Sequence, residues 1–164
     1  MLFIGIYFRY KQGMAEMKKQ TVLFDIDGTL ANIAHRRVFL DREPADWKAF
    51  NNAMGDDTLN TPIVDLYRTL EGSGVYEIII VTGRNEKFRK LTEQWLAWNE
   101  IPFTRLLMRQ DNDQRADHII KEEILNLLRD EGKEIAFVVD DRQQVVDMWR
   151  RQGIVCLQCD AGDF

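Results

Sequence analysis

The chain has 164 residues, 45% of them hydrophobic and 30% charged, and a formal net charge of −5. That length supports one domain with its own core, and the acidic balance excludes a surface that is basic all over, though not a local basic patch. Its two cysteines, Cys156 and Cys159, define no disulfide framework and fit a reducing, cytoplasmic setting.

The chain opens on "MLFIGIYF", an apolar run far short of the ~20 residues of a membrane span. Arg9 and Lys11 follow the run, whereas a signal peptide carries its charge ahead of it, and no small-residue cleavage site comes next. Residues 1–17 therefore read as a disordered or extended tail, with no membrane partner, before a single domain over 18–164. The first strand is expected at 21–24, "TVLF", and runs straight into Asp25 and Asp27. Side chains two apart in an extended segment share a side, so both carboxylates should project together from the strand end. Like charges this close are unfavourable unless a cation sits beside them or one carboxyl keeps its proton. Asp27-Gly28 is also a hairpin signal, but "TLANIAHRR" supplies no second alternating strand. A calcium loop would need an acid or amide at Thr29, Gly at Leu30 and Glu at Arg36, and fails at all three.

Residues 31–60 break the pattern. They are polar, contain Pro44, and read as a small cap-like insertion with a short helix near 46–53. Thr61-Pro62 opens the next helix, which Gly72 and Gly74 close. Strand 76–81 leads into Thr82, Gly83 and Arg84. A hydroxyl, a flexible backbone N–H and a guanidinium make a phosphate cradle, and they equally make an ordinary strand-to-helix turn. The helix after it places Phe88, Leu91, Trp95 and Trp98 on one face, as a core stripe. A short strand at 105–108 precedes "DHIIKEEILNLLRDEG", where Asp117 and Lys121 stand one turn apart. Strand 134–139 ends in Asp140 and Asp141, a second acidic pair that is either functional or a helix cap. The helix "QQVVDMWRRQG" and a strand at 154–158 complete the domain, and the chain ends in "AGDF".

Strands alternating with helices predict an α/β fold: a Rossmann-like, mostly parallel sheet of about five strands, helices on both faces, and the insertion after the first strand. In such a sheet every strand's carboxyl end opens onto one crevice. That crevice would gather four carboxylates, a hydroxyl, a lysine and arginines, a set suited to moving a phosphoryl group. Cys156 and Cys159 spell C-x-x-C, but no further zinc ligands stand nearby, so buried, inert thiols are expected. His35 and His118 read as solvent-exposed. "MWRR" at 148–151 reads as a solvated face rather than a nucleic-acid contact.

Taken together, "FDIDGTL", Thr82, Lys121 and "VVDDR" resemble, in order and spacing, the four motifs of the haloacid dehalogenase-like phosphohydrolases. "HIIKEEIL", "DDRQQVVDMWRRQGIVCLQ" and "AGDF" are similar to the 3′-phosphatase domain of phage-type polynucleotide kinase-phosphatases. The likeness runs from about Thr21 to the end. It implies that Asp25 attacks phosphorus and Asp27 handles the leaving-group proton, while Thr82 and Lys121 hold phosphoryl oxygens. It also implies Mg²⁺ on Asp25, the Asp27 carbonyl, Asp140 and Asp141. Gly83, Arg84, Arg36 and Asp117 match substrate-side positions, with Arg36 and Arg84 expected on loops overhanging the crevice. No GxxxxGK[ST] loop occurs, so the kinase of such enzymes is either missing or another polypeptide, and a separate kinase or ligase is the partner the resemblance implies. The expected activity is Mg-dependent removal of 3′-phosphate from nucleic-acid ends. A phosphatase of small nucleotides shares all of this chemistry. A non-catalytic phosphate reader would need neither a nucleophile nor an acid.

Overall fold

The computed structural model describes residues 19–162; the tail expected over 1–17 and the last two residues lie outside them. Strand β1 (Thr21–Phe24) leads into β2 (Ala31–Asn32), helices α1 (Ala34–Arg37) and α2 (Trp47–Asn52), a 3-10 turn at Ala53–Asp56 and β3 (Thr58–Leu59). Then come α3 (Thr61–Ser73), β4 (Glu77–Asn85), α4 (Arg89–Trp98), β5 (Arg105–Arg109), α5 (Asp117–Asp130), β6 (Ile135–Arg142), α6 (Gln143–Arg151) and β7 (Cys156–Gly162). Five strands form one parallel sheet in the order β5-β4-β1-β6-β7, and β2 pairs antiparallel with β3. This is the expected architecture. The chain leaves central β1 for one flank and later crosses to the other, so the strand order reverses at β1, where crevices of such sheets form.

Alternation along the strands sorts the core into two layers. Val22 and Phe24 of β1 pack with Ile78, Ile80, Val64, Tyr67, Trp95 and Leu96, the α3–α4 side. Leu23 packs with Ile79, Val81, Ile124, Leu128, Val146 and Trp149, the α5–α6 side. Burial on both faces is why the strands read as unbroken apolar runs. Pro62 stands in the first turn of α3, and Gly74, at φ 66°, ends it in the left-handed region.

Several expectations need correction. Strands β4, β6 and β7 run on to Asn85, Arg142 and Gly162, so Thr82, Gly83, Arg84, Asp140 and Asp141 belong to strands. Arg84 is thus not on a loop, and the strand ends expected at 81 and 139 lie further on, because the ladders continue with register shifts between Thr82 and Asn85 and between Asp140 and Arg142. Gly72 lies inside α3 rather than ending it. Trp98 is 71% exposed; the buried face of α4 is Thr92, Trp95 and Leu96. His118 is half-buried, not exposed. Met148 and Trp149 of the "MWRR" run are core residues, leaving only Arg150 and Arg151 on the solvent side. No helix among the described residues is long and apolar enough to cross a membrane.

Candidate active site

The ladder carries one residue past β1: the Asp25 N–H donates to the Val139 carbonyl at 3.0 Å. Alternation turns Asp25 to the side of Leu23, where α5 presents Lys121. The Lys121 ammonium donates to Asp25 Oδ1 at 2.8 Å and to Asp140 Oδ2 at 2.9 Å, and lies 3.4 Å from Asp117 Oδ2 one turn earlier. Indole Nε1–H of Trp149 also donates to Asp140 Oδ2, at 3.3 Å. All of these groups except Asp117 are almost completely buried. Burial works against the Lys121 charge, but Asp117, Asp140 and Asp25 outweigh it and hold the ammonium well above its ordinary pKa. Burial raises the Asp25 carboxyl well above its usual range, Lys121 opposes that, and Asp140, Asp141 and Asp117 add to it.

Asp25, Asp140 and Asp141 each offer an oxygen within 4.8 Å of the others'. Burial and then Asp140 push the Asp141 carboxyl up to about 7. Four carboxylates thus face one ammonium, an excess of negative charge that a small, hard cation would relieve, and oxygen donors suit magnesium. Asp141 is seated by groups that sequence reasoning passed over. Thr29 Oγ1 donates to Asp141 Oδ1 at 3.2 Å. Gly28, at φ 88°, and Gly162 both leave room for that carboxylate; a Cβ at either would stand 2.2 Å from Asp141 Oδ2.

Asp27 does not share a set of partners with Asp25, as simple alternation predicted. The chain turns between them, with Ala31 N–H donating to the Ile26 carbonyl at 2.8 Å and Gly28 N–H to that of Ala31 at 2.9 Å. Asp27 Oδ1 accepts from Arg36 Nη2 at 2.6 Å and from Arg84 Nη2 at 2.6 Å and Nε at 3.0 Å; Oδ2 accepts nothing among the described residues. Burial disfavours its charge, yet Arg84 and Arg36 prevail and pull the carboxyl down to about 2. Arg36 and Arg84 do not overhang the crevice. Both are buried, and Asp57 sits between them, accepting from Arg36 Nε at 2.6 Å and Nη2 at 2.7 Å, and from Arg84 Nη2 at 2.9 Å. Asp57 comes from the 31–60 segment and its carbonyl accepts the Trp95 Nε1–H at 2.8 Å. The charge pattern hid this pairing, because "GDDTLN" reads as a polar loop.

A crevice of about 640 Å³ opens at these strand ends, walled by Asp25, Asp27, Arg84, Lys121 and Asp117. Gly83 also lines it; its carbonyl accepts from Arg109 Nε at 2.9 Å, and Arg109 Nη2 reaches Asp117 Oδ1 at 3.3 Å. Arg109 carried no sequence signal. Thr82 is fully buried, its hydroxyl accepting from the Arg84 N–H at 3.3 Å. His35 is exposed, with Nδ1 3.8 Å from Asp57 Oδ1. Cys156 and Cys159 are free thiols, pushed chiefly by burial to about 12 and about 11, so neither is a thiolate near neutrality.

With this geometry in hand, a family model described as the polynucleotide kinase PNKP phosphatase domain matches residues 19–164. A protein of Autographa californica nuclear polyhedrosis virus, assigned as a bifunctional polynucleotide kinase/RNA ligase, is 28% identical over 145 residues, spanning 87% of this chain and 20% of its own. A chain in the structure of the Pnkp1/Rnl/Hen1 RNA repair complex is 36% identical with a TM-score of 0.72, over 89% of this chain and 44% of that one. A haloacid dehalogenase-like family hydrolase from Streptococcus pneumoniae shares the fold at 17% identity, with a TM-score of 0.58 over 85% of this chain and 84% of that one. The chain spans about a fifth of the viral relative and less than half of the repair-complex chain.

Proposed function

The chain belongs to the polynucleotide kinase PNKP phosphatase-domain family, a phosphatase of haloacid dehalogenase-like fold, and from that premise we propose that it removes the 3′-phosphate from nucleic-acid ends with the help of Mg²⁺. One observation carries the chemistry: a buried carboxylate, Asp25, lines an open crevice while bonded to Lys121 and adjoining Asp140 and Asp141. In this reading Asp25 forms a bond to phosphorus as the bond to the leaving 3′-oxygen breaks, giving an aspartyl-phosphate. Lys121 neutralises Asp25 and the phosphoryl oxygens; Arg84 and the backbone of Gly83 flank them, and Thr82 supports that strand end from behind. Asp27 enters the reaction as a carboxylate, so its Oδ2 relays to the leaving oxygen a proton that arrives with the phosphate monoester in its singly charged form, and in the second step takes a proton from the water that frees the enzyme. Magnesium on Asp25, Asp140, Asp141 and the Asp27 carbonyl would supply charge neutralisation.

Residues 31–60 serve as a small cap, since they deliver Arg36 and Asp57 to the acid. By analogy with the relatives named above, a kinase or ligase is the class of partner to expect. A cytoplasmic setting suits two free thiols.

Phosphate release from a 3′-phosphorylated oligonucleotide, beside 3′- and 5′-mononucleotides, tests the reading. The oligonucleotide is expected to turn over with the highest kcat/KM, only with divalent metal present. Full activity in excess chelator contradicts the metal site, and a preference for mononucleotides replaces the strand-end reading with the small-nucleotide one.

The seat of Asp141 yields a further expectation. Gly162→Ala would place a Cβ 2.2 Å from Asp141 Oδ2, so the carboxylate must swing away. Removing support of this kind around metal ligands commonly costs ~10- to 100-fold in affinity or activity. The Mg²⁺ concentration for half-maximal activity should rise by about that factor; an unchanged metal titration would dissociate Asp141 from the cation.

A further inference from the structure

Building on the strand-end reading, we propose that Trp47 and Asn51, on the crevice side of α2, form a subsite for the nucleobase of the nucleotide that bears the scissile phosphate. Helix α2 is short but firmly seated. Asp46 caps it, accepting the Ala49 N–H at 2.9 Å, Phe50 anchors its inner face in the protein, and Met54 is buried in the 3-10 turn that follows. Trp47 stays 52% exposed, although one turn away Phe50 is buried. Trp47, Phe50 and Asn51 line the same crevice as Asp25 and Asp27. Side chains four apart on a helix stand side by side, so indole and amide form one surface. The Asn51 amide makes no side-chain hydrogen bond among the described residues, and so keeps its donors and acceptor for a ligand.

The subsite is also tied to the chemistry. Trp47 meets Phe50 edge-on, with ring centroids 5.8 Å apart at 79°, and the Arg36 guanidinium stacks 4.2 Å above the Phe50 ring. Arg36 in turn holds Asp27 Oδ1. A chain of three contacts therefore fixes the indole relative to the acid. The crevice, at about 640 Å³, is much larger than a phosphate needs and lies in the range of pockets for whole small molecules. With the phosphate at Asp25, what remains to be filled is the nucleoside. A flat aromatic face accepts any base, so the subsite discriminates nucleotides from other phosphate esters rather than one base from another.

The test compares two 3′-phosphorylated oligonucleotides in Mg²⁺, identical except that one ends in a natural nucleotide and the other in a tetrahydrofuran abasic residue. Stacking of this kind is worth about ten-fold in binding. The parent KM should therefore be about ten-fold lower for the base-bearing end. Trp47→Ala should collapse that ratio towards one, and Trp47→Phe should restore most of it. A parent ratio near one, or a ratio that survives Trp47→Ala, overturns the subsite while leaving the strand-end reading standing. A parent that frees phosphate from neither end overturns both.

Discussion

Asp25→Asn is expected to lower turnover by ~10⁴-fold or more, as loss of a nucleophile does in enzymes whose groups act as a unit. In chelator the variant should melt at the same temperature as the parent or a higher one. An amide keeps the shape of the carboxylate but cannot attack phosphorus. Stability follows from the sign of the carboxyl's shift. Burial, with Asp140, Asp141 and Asp117 nearby, raises the Asp25 pKa in the folded protein despite Lys121. A carboxyl whose folded pKa exceeds its unfolded one subtracts stability once the pH passes the unfolded value, and that penalty is fully present above the folded value. The amide never carries the charge, so the penalty disappears. Lys121 is not stranded, because Asp140 and Asp117 still pair with it. Turnover within tenfold of the parent would remove Asp25 from the nucleophile's place. A large fall in melting temperature would mean that the ion pair, rather than the chemistry, is its main task.

How far the residues disclosed this site depends on the distance over which each signal acts. The apolar run into Asp25, the run into Asp140 and Asp141, and Lys121 one turn after Asp117 are local patterns, and a parallel sheet brings strand ends together by topology alone. The fold and the acidic cluster with its lysine were legible for that reason. Arg36 misled because its partner Asp57 is 21 residues away in a stretch with no periodicity. An arginine in a polar insertion looks exposed until its counter-ion is placed. Gly162 stood out only within the "AGDF" likeness, which attached no role to it. It meets Asp141 only because β7 pairs with β6 so that Gly162 stands opposite Arg142, a register set by the whole sheet. Trp47 carried no signal in the sequence, since exposure is a property of the assembled crevice.

Asp57→Ala should cost both stability and rate, in a way that separates the two roles of this carboxylate. Its oxygens accept from Arg36 and Arg84, both buried, and both arginines also hold Asp27. Deleting one partner of a buried ion pair leaves an uncompensated charge and costs about 3–5 kcal/mol. For a chain of this size each kcal/mol shifts the melting temperature by roughly 2–4 °C, so a fall of about 6–20 °C is expected. With Asp57 gone, the guanidiniums have only Asp27 to share, and their geometry about its Oδ1 relaxes. Misplacement of a catalytic group by about 1 Å costs on the order of 10²-fold, and kcat should drop by that much even well below the melting transition. The double variant Arg36→Met, Asp57→Leu removes charge and counter-charge together. Exchanging a buried pair for apolar groups of similar volume is often neutral or stabilising, so most of the lost stability should return. Activity should not return, because Asp27 would still lack Arg36 and the carboxylate that orients Arg84. If the double variant recovers rate along with stability, the network only holds the fold. If Asp57→Ala alone leaves kcat within twofold of the parent, Asp57 has no part in positioning the acid.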